Sequence, residues 1–314
     1  MAKKKKYNYN KDLRLFAWLN PPVILPALPA MQFFMKGFYY TDLPDKALKK
    51  DKLSIPLQSG GKIRAFCYSP VNANESSPCI IFYHGGGFVY NAAPHHFTLA
   101  KNLAKSTGAR VIFPDYRLAP KNPFPAAVND ALDTYIFVRS NADKLGIDES
   151  RIALCGDSAG GNLAAVTCLL AKEKALPLPV AQVLIYPFVD GDRESESMKE
   201  FTDTPMCNSK AAIKYNKAYI PEISQIRPEL FSAIDAPDLS GLPEAYIETA
   251  EFDCLHDGGV RYYKKLISHG TRASLFETKG TMHGYDIATK SEIYARCMNK
   301  RTEFLNRCFS KEAD

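Results

Sequence analysis

Ser158 stands between two glycines in the run Gly156-Asp157-Ser158-Ala159-Gly160. The short apolar run before it, Ile152–Cys155, predicts a buried strand, and the Ala- and Leu-rich pattern after it, Asn162–Ala175, predicts a helix. A serine on so tight a strand-to-helix turn must take strained backbone angles. Only small residues two positions to either side let the strand and helix pass one another. The strain would lift the hydroxyl clear of the backbone, within reach of a substrate carbonyl. A serine used in this way needs a histidine to take its proton, a carboxylate to orient that histidine, and N–H donors for the developing oxyanion. A glycine-rich turn with a solvated serine would spell the same five letters, so the rest of the chain must decide.

Of the six histidines, His283 lies in Lys279-Gly280-Thr281-Met282-His283-Gly284-Tyr285, between the last strand pattern and the last helix pattern. That is the carboxyl edge of a parallel sheet, where sites of such folds gather. His95, His96 and His269 fall in helical patterns and read as packing or surface residues, while His256 is ambiguous. Two carboxylates follow Ser158 and precede His283 near a strand end. Asp253 comes just beyond the strand pattern Ala245–Ala250, after Glu251 and Phe252, and Asp257 is one helical turn further on. Position favours Asp253 as the orienting acid and Asp257 as a cap for the next helix. Upstream, Cys79–Tyr83 runs into His84-Gly85-Gly86-Gly87. Successive glycines let backbone N–H groups turn into a cavity without interference from a Cβ. This loop, with the N–H of Ala159, could serve an oxyanion. A phosphate cradle is disfavoured, because the chain lacks both the GxGxxG spacing and a Walker lysine at this loop.

The framework these groups require is also visible. Leu53–Leu57 and Ile63–Tyr68, separated by Ser59-Gly60-Gly61, read as a hairpin. Strand patterns at 79–83, 111–114, 152–155, 180–186, 245–249 and 273–278 then alternate with helical patterns at 95–106, 125–144, 162–175, 258–268 and 291–309. This alternation predicts an α/β fold with a mainly parallel central sheet covered by helices on both faces. Residues 190–243 are too long for a simple loop and hold a helical pattern, Lys210–Ile220, ended by Pro221. Residues 46–189 and 236–314 therefore form the expected core, and residues 1–45 and 190–235 the expected halves of a helical cap.

Charge is unevenly distributed over the 314 residues. Residues 1–50 carry ten Lys/Arg against three Asp/Glu, while the remaining 264 carry 30 against 31, so the net +6 belongs to the N-terminus. A main body without a basic excess argues against nucleic acid as a partner. The first ten residues, with Lys3–Lys6, read as a disordered tail. The aromatic stretch 13–40 is broken by Pro21, Pro22, Pro26 and Pro29 and is too short in apolar runs to span a membrane. A cap is the expectation there, with contact to an anionic membrane surface as the alternative. Eight cysteines (Cys67, Cys79, Cys155, Cys168, Cys207, Cys254, Cys297 and Cys308) show no CxxC pair and no metal-ligand spacing. They read as buried thiols of a cytoplasmic protein, and neither a cofactor nor a metal is expected.

Taken as an ordered set, His84-Gly-Gly-Gly-Phe88, Tyr116-Arg-Leu-Ala-Pro-Lys-Asn-Pro-Phe-Pro-Ala-Ala127, Gly156-Asp-Ser-Ala-Gly-Gly161, Glu251-Phe-Asp253 and His283-Gly-Tyr285 resemble the hormone-sensitive-lipase family of carboxylesterases, within the α/β-hydrolases. The resemblance implies an α/β-hydrolase fold, a triad of Ser158, Asp253 and His283, and oxyanion donors at Gly86, Gly87 and Ala159. It also implies a bracing role for the Tyr116–Ala127 segment. The expected activity is hydrolysis of short- to medium-chain carboxylic esters, with a membrane-surface lipase or an amidase as alternatives on the same site. Gibberellin receptors resemble this family but lack the histidine, so His283 weighs against a protein that only binds. There are departures too: Asp253-Cys254-Leu255-His256-Asp257-Gly258-Gly259 replaces the usual Asp-Pro-Leu-Arg-Asp-Glu-Gly, and Lys121 and Asn91-Ala92 are unusual at their positions.

Overall fold

The computed structural model describes residues 7–19, 24–43, 45–220 and 227–310. Lys3–Lys6, Pro21, Pro22 and Pro221, which figure in the sequence expectations, lie outside them. Eight strands form one sheet: β1 (Leu48–Pro56), β2 (Lys62–Pro70), β3 (Ser77–Tyr83), β4 (Arg110–Pro114), β5 (Ile147–Asp157), β6 (Ala181–Ile185), β7 (Glu244–Phe252) and β8 (Ala273–Met282). Their order is β1-β2-β4-β3-β5-β6-β7-β8. The β1–β2 and β2–β4 pairs are antiparallel and all the others parallel. Strands β3, β5 and β6 are buried along most of their length, which is why their sequences read as continuous apolar runs rather than alternating ones.

The helices are α1 (Leu28–Met35), α2 (Gly37–Thr41), α3 (Pro94–Thr107), α4 (Ala126–Ser140), α5 (Ala142–Leu145), α6 (Ala159–Glu173), α7 (Glu196–Glu200), α8 (Ser209–Tyr219), α9 (Pro228–Phe231), α10 (His256–Ser268) and α11 (Glu292–Phe309). Leu132, Val166 and Leu266, from α4, α6 and α10, belong to the core on one face of the sheet. Phe97 and Leu103 of α3 and Leu305 of α11 belong to the core on the other. The chain turns to opposite sides of β3 in forming β4 and β5, and at such a switch the strand ends leave a crevice for a site.

Three expectations need correction. The predicted helix 125–144 is two helices, broken where Asn141 leaves helical angles. Helix α6 begins at Ala159, not Asn162, because Gly160 and Gly161 serve close packing rather than a helix break. Residues 7–10 are not free: the Tyr7 hydroxyl donates to Asp203 Oδ1 at 2.7 Å, its ring packs 5.4 Å from that of Phe252, and Asn10 N–H donates to Gly280 O at 2.8 Å. The long segment 190–243 holds α7, α8 and α9, with Ser195 and Asn208 side chains capping the first two. It meets the N-terminal segment where Met206 N–H donates to Leu19 O at 2.8 Å.

Candidate active site

Ser158 is the one residue between β5 and α6, at φ 54° and ψ −118°. Positive φ is costly for a residue with a side chain, and the surroundings leave no alternative path. A Cβ on Gly160 would run into the Tyr83 carbonyl, and one on Gly156 into the carbonyl of Gly160. The glycines let α6 start hard against β3 and β5, and the turn projects Ser158 from the carboxyl edge of the sheet.

Asp253 follows the last residue of β7, and His283 the last residue of β8. Adjacent parallel strands thus deliver the two groups side by side. Asp253 Oδ2 lies 2.7 Å from His283 Nδ1, and His283 Nε2 lies 2.9 Å from Ser158 Oγ. A carboxylate can only accept, so Nδ1 carries a proton and Nε2 of the neutral ring is left to accept from the serine hydroxyl. Asp253 Oδ1 accepts from Leu255 N–H at 2.9 Å, which fixes the carboxylate plane. Burial alone would push the His283 imidazolium down, but the adjacent Asp253 charge outweighs it and lifts His283 to about 9. Asp257 stands apart from this line. Its carboxylate accepts from Ser197 N–H at 2.8 Å and pairs with His256, so it ties α7 to α10 instead of capping its own helix. His256 also reaches Glu277, and His269 accepts from Leu239 N–H, so both serve packing.

The N–H groups of Gly86, Gly87 and Ala159 donate to no acceptor among the described residues. Gly86 and Gly87 border the cavity that Ser158 and His283 face. Both have positive φ, 120° and 60°, and a Cβ would meet Tyr90 O at 2.8 Å in the first case and the Tyr215 ring at 2.6 Å in the second. Unused N–H groups at two glycines of the cavity wall, and at the residue after Ser158, are of the kind that suits an oxygen acquiring negative charge.

One support escaped the sequence reading, and a second fills out the bracing expected of Tyr116. Asp157 Oδ1 accepts from Gly85 N–H at 2.8 Å, and His96 Nε2–H donates to its Oδ2 at 3.2 Å. His96 Nδ1 accepts from Ala93 N–H, which settles that tautomer. Burial works against the Asp157 charge, yet His96 prevails and holds the carboxyl at about 2. Asp157, the residue before Ser158, therefore fastens the glycine loop to α3. Its only legible signal was an acid in an otherwise small, apolar turn. The second support is His84, whose ring stacks on Tyr116 with centroids 4.4 Å apart; burial, helped by His96, pushes it down to about 3, so it stays neutral. The Tyr116 hydroxyl donates to His84 O at 2.7 Å, so Tyr116 braces the loop.

Above this line is a cavity of about 500 Å³, lined by Met31 and Met35 of α1, Tyr90 and Ile287 of the core, and Met206 and Tyr215 near α8. Cys207 also faces it; a hydrogen bond from the Cys254 thiol holds Cys207 below its ordinary range, with burial opposing.

The alpha/beta hydrolase fold family matches residues 80–287, from β3 through the turn beyond His283. The chain belongs to it. Among the hormone-sensitive-lipase-like α/β-hydrolases that its motifs resemble, it is 35% identical over 242 residues to an arylesterase of Saccharolobus solfataricus, covering 77% of this chain and 76% of that one. It is 36% identical over 272 residues to the esterase LipI of Mycobacterium tuberculosis, covering 85% and 83%. In three dimensions this α/β-hydrolase matches an esterase from Pyrobaculum calidifontis with a TM-score of 0.86 at 32% identity, covering 95% of this chain and 98% of that one.

Proposed function

We propose that this carboxylic ester hydrolase works through Ser158 as nucleophile, His283 as general base and then acid, and Asp253 as the group that orients and charges His283. Ser158 Oγ attacks the ester carbonyl carbon as its proton passes to His283 Nε2. The carbonyl oxygen becomes an oxyanion received by the N–H groups of Gly86, Gly87 and Ala159. His283 returns the proton to the departing alcohol oxygen, leaving an acyl-Ser158 ester. Water then attacks that ester as His283 again takes the proton, and His283 passes it to Ser158 Oγ as the acyl–Oγ bond breaks and the carboxylic acid leaves. The observation that carries the reading is the continuous Asp253–His283–Ser158 hydrogen-bonded line opening into the cavity.

Residues 1–45 and 190–235 act as a two-part cap in this reading, which the methionines of α1 and the tyrosine of α8 in the cavity wall support. Eight buried free thiols support a reducing, cytoplasmic setting. An apolar, methionine-rich cavity of this size favours short- to medium-chain acyl groups. Across p-nitrophenyl esters from acetate to palmitate, kcat/KM should peak between acetate and octanoate and fall by about tenfold or more at palmitate. A profile that rises all the way to palmitate would overturn the chain-length assignment.

The pH dependence follows from His283. Its proton must leave before it can act as a base, and Asp253 holds that proton tightly. The acidic limb of kcat/KM for a neutral ester should therefore have its midpoint above 6.5, with activity still rising on the alkaline side of neutrality. Asp253→Asn should move the limb to lower pH while lowering its height. A limb below pH 6 in the wild type would contradict this coupling.

A further inference from the structure

Eleven large apolar side chains are exposed among the described residues, and eight of them fall between Leu15 and Leu43. Leu15, Trp18, Phe33 and Phe34 are each 75–77% exposed. The segment is nevertheless well anchored. Leu13, Leu28 and Tyr39 are buried, and Gln32 Nε2 donates to both Val89 O and Ala119 O at 2.7 Å. Helix α1 shows the division most clearly. At 100° per residue, Leu28, Met31, Gln32 and Met35 share one arc facing the core and the cavity, and Phe33 and Phe34 fall on the opposite arc. An element with polar neighbours outside would carry polar residues there. Instead, one helix is apolar toward the substrate cavity and apolar toward solvent.

The charges nearby point to what covers it. Asp12 accepts from Glu292 N–H, Asp42 is held by Lys50 and Lys101, and Asp45 by Lys105. Arg14 and Lys36 are exposed with no partner among the described residues, and Lys3–Lys6 precede them in the sequence. These acids are thus occupied, while two bases on the same segment, Arg14 and Lys36, are left over. A second copy of this chain across a two-fold axis would bring like charges together, whereas an anionic surface would neutralise them. Trp and Phe beside free Lys and Arg form the side-chain set of a protein that rests in the headgroup region without crossing it. No helix among the described residues is long and apolar enough to span a bilayer.

We propose that the outer side of α1, together with Leu15 and Trp18, docks on an anionic lipid surface, so that the inner side of the same helix borders the cavity for esters held in that surface. The docking makes no use of Ser158, so its test reads binding alone. The full-length protein is spun down with vesicles of phosphatidylcholine, or of phosphatidylcholine mixed with phosphatidylglycerol. The expected result is cosedimentation with the mixed vesicles that weakens as salt is raised. Phe33→Asp/Phe34→Asp should weaken partitioning about tenfold or more, and Lys36→Gln about fivefold. Both variants should keep the wild-type thermal midpoint and the wild-type rate on dissolved p-nitrophenyl acetate, which separates lost docking from a damaged site. Wild-type protein that stays in the supernatant with mixed vesicles overturns the proposal, as does equal partitioning into both vesicle types. A double variant that turns a wild-type dimer into a monomer on size exclusion, with no lipid binding by either, would assign the face to a second copy instead.

Discussion

Ser158→Ala is expected to lower kcat on p-nitrophenyl acetate by about 10⁴–10⁶-fold while leaving the thermal midpoint unchanged. The substitution removes one oxygen from a residue whose strained backbone is imposed by its surroundings, chiefly the approach of Gly160 to the Tyr83 carbonyl. Alanine inherits the same φ, so the fold around the turn should persist. What is lost is the atom 2.9 Å from His283 Nε2 and the covalent route through it. The free N–H groups of Gly86, Gly87 and Ala159 remain, so a residual rate above that in water should survive. Asp253→Asn should cost about 10⁴-fold, since an amide can donate toward His283 and favour the wrong tautomer. Combining the two should cost scarcely more than Ser158→Ala alone, because the residues act as a unit. Near wild-type turnover by Ser158→Ala would remove Ser158 from the chemistry.

The groups of that line were legible because each directly follows a strand, where position in the chain predicts position in space. Strands β3, β5 and β6 carry buried apolar runs closed off by His84-Gly85, by Arg151 and Gly156, and by Pro179 and Pro187, and such runs need no knowledge of their partners to be recognised. Helix α6 was misplaced by three residues for a related reason. Gly160 and Gly161 look like punctuation locally, yet they are required by the Tyr83 carbonyl and by Pro187, which lie far away in sequence. His96 and Asp157 were passed over because their meaning is mutual: a helical histidine and a turn aspartate have no visible role until β5 and α3 are brought together. The exposed side of α1 could not be read either. A segment rich in Phe and Leu predicts burial, and only the sheet beneath it shows how few of those side chains find room.

Arg301 carries the second large prediction, and nothing in the amphipathic pattern of α11 marks it. It is fully buried under β7, with Nε 3.1 Å from Glu248 Oε2 and Nη2 2.9 Å from Asp286 Oδ2, and it also contacts Glu248 Oε1 and the Tyr285 hydroxyl. Burial works against its charge, but Asp286 and Glu248 prevail and hold the guanidinium well above its usual range. The cluster reaches the site through one ring: the Tyr186 hydroxyl donates to Asp286 Oδ2 at 3.1 Å, and its ring packs edge-to-face with that of His283, centroids 4.9 Å apart. Arg301→Met should fill much of the same space but strand two carboxylates out of reach of water. The expected cost is about 3–5 kcal/mol, or about 5–10 °C in the thermal midpoint. The sign of its pH dependence follows. Stranded carboxyls have folded pKa values above their unfolded ones, so the variant's deficit should grow as pH rises through the ordinary carboxyl range and shrink in acid. Adding Glu248→Gln and Asp286→Asn removes both charges and should recover about half of the loss or more. A midpoint for Arg301→Met within a degree of wild type, or a deficit that grows in acid, would mean that the three charges are not the closed set their distances describe.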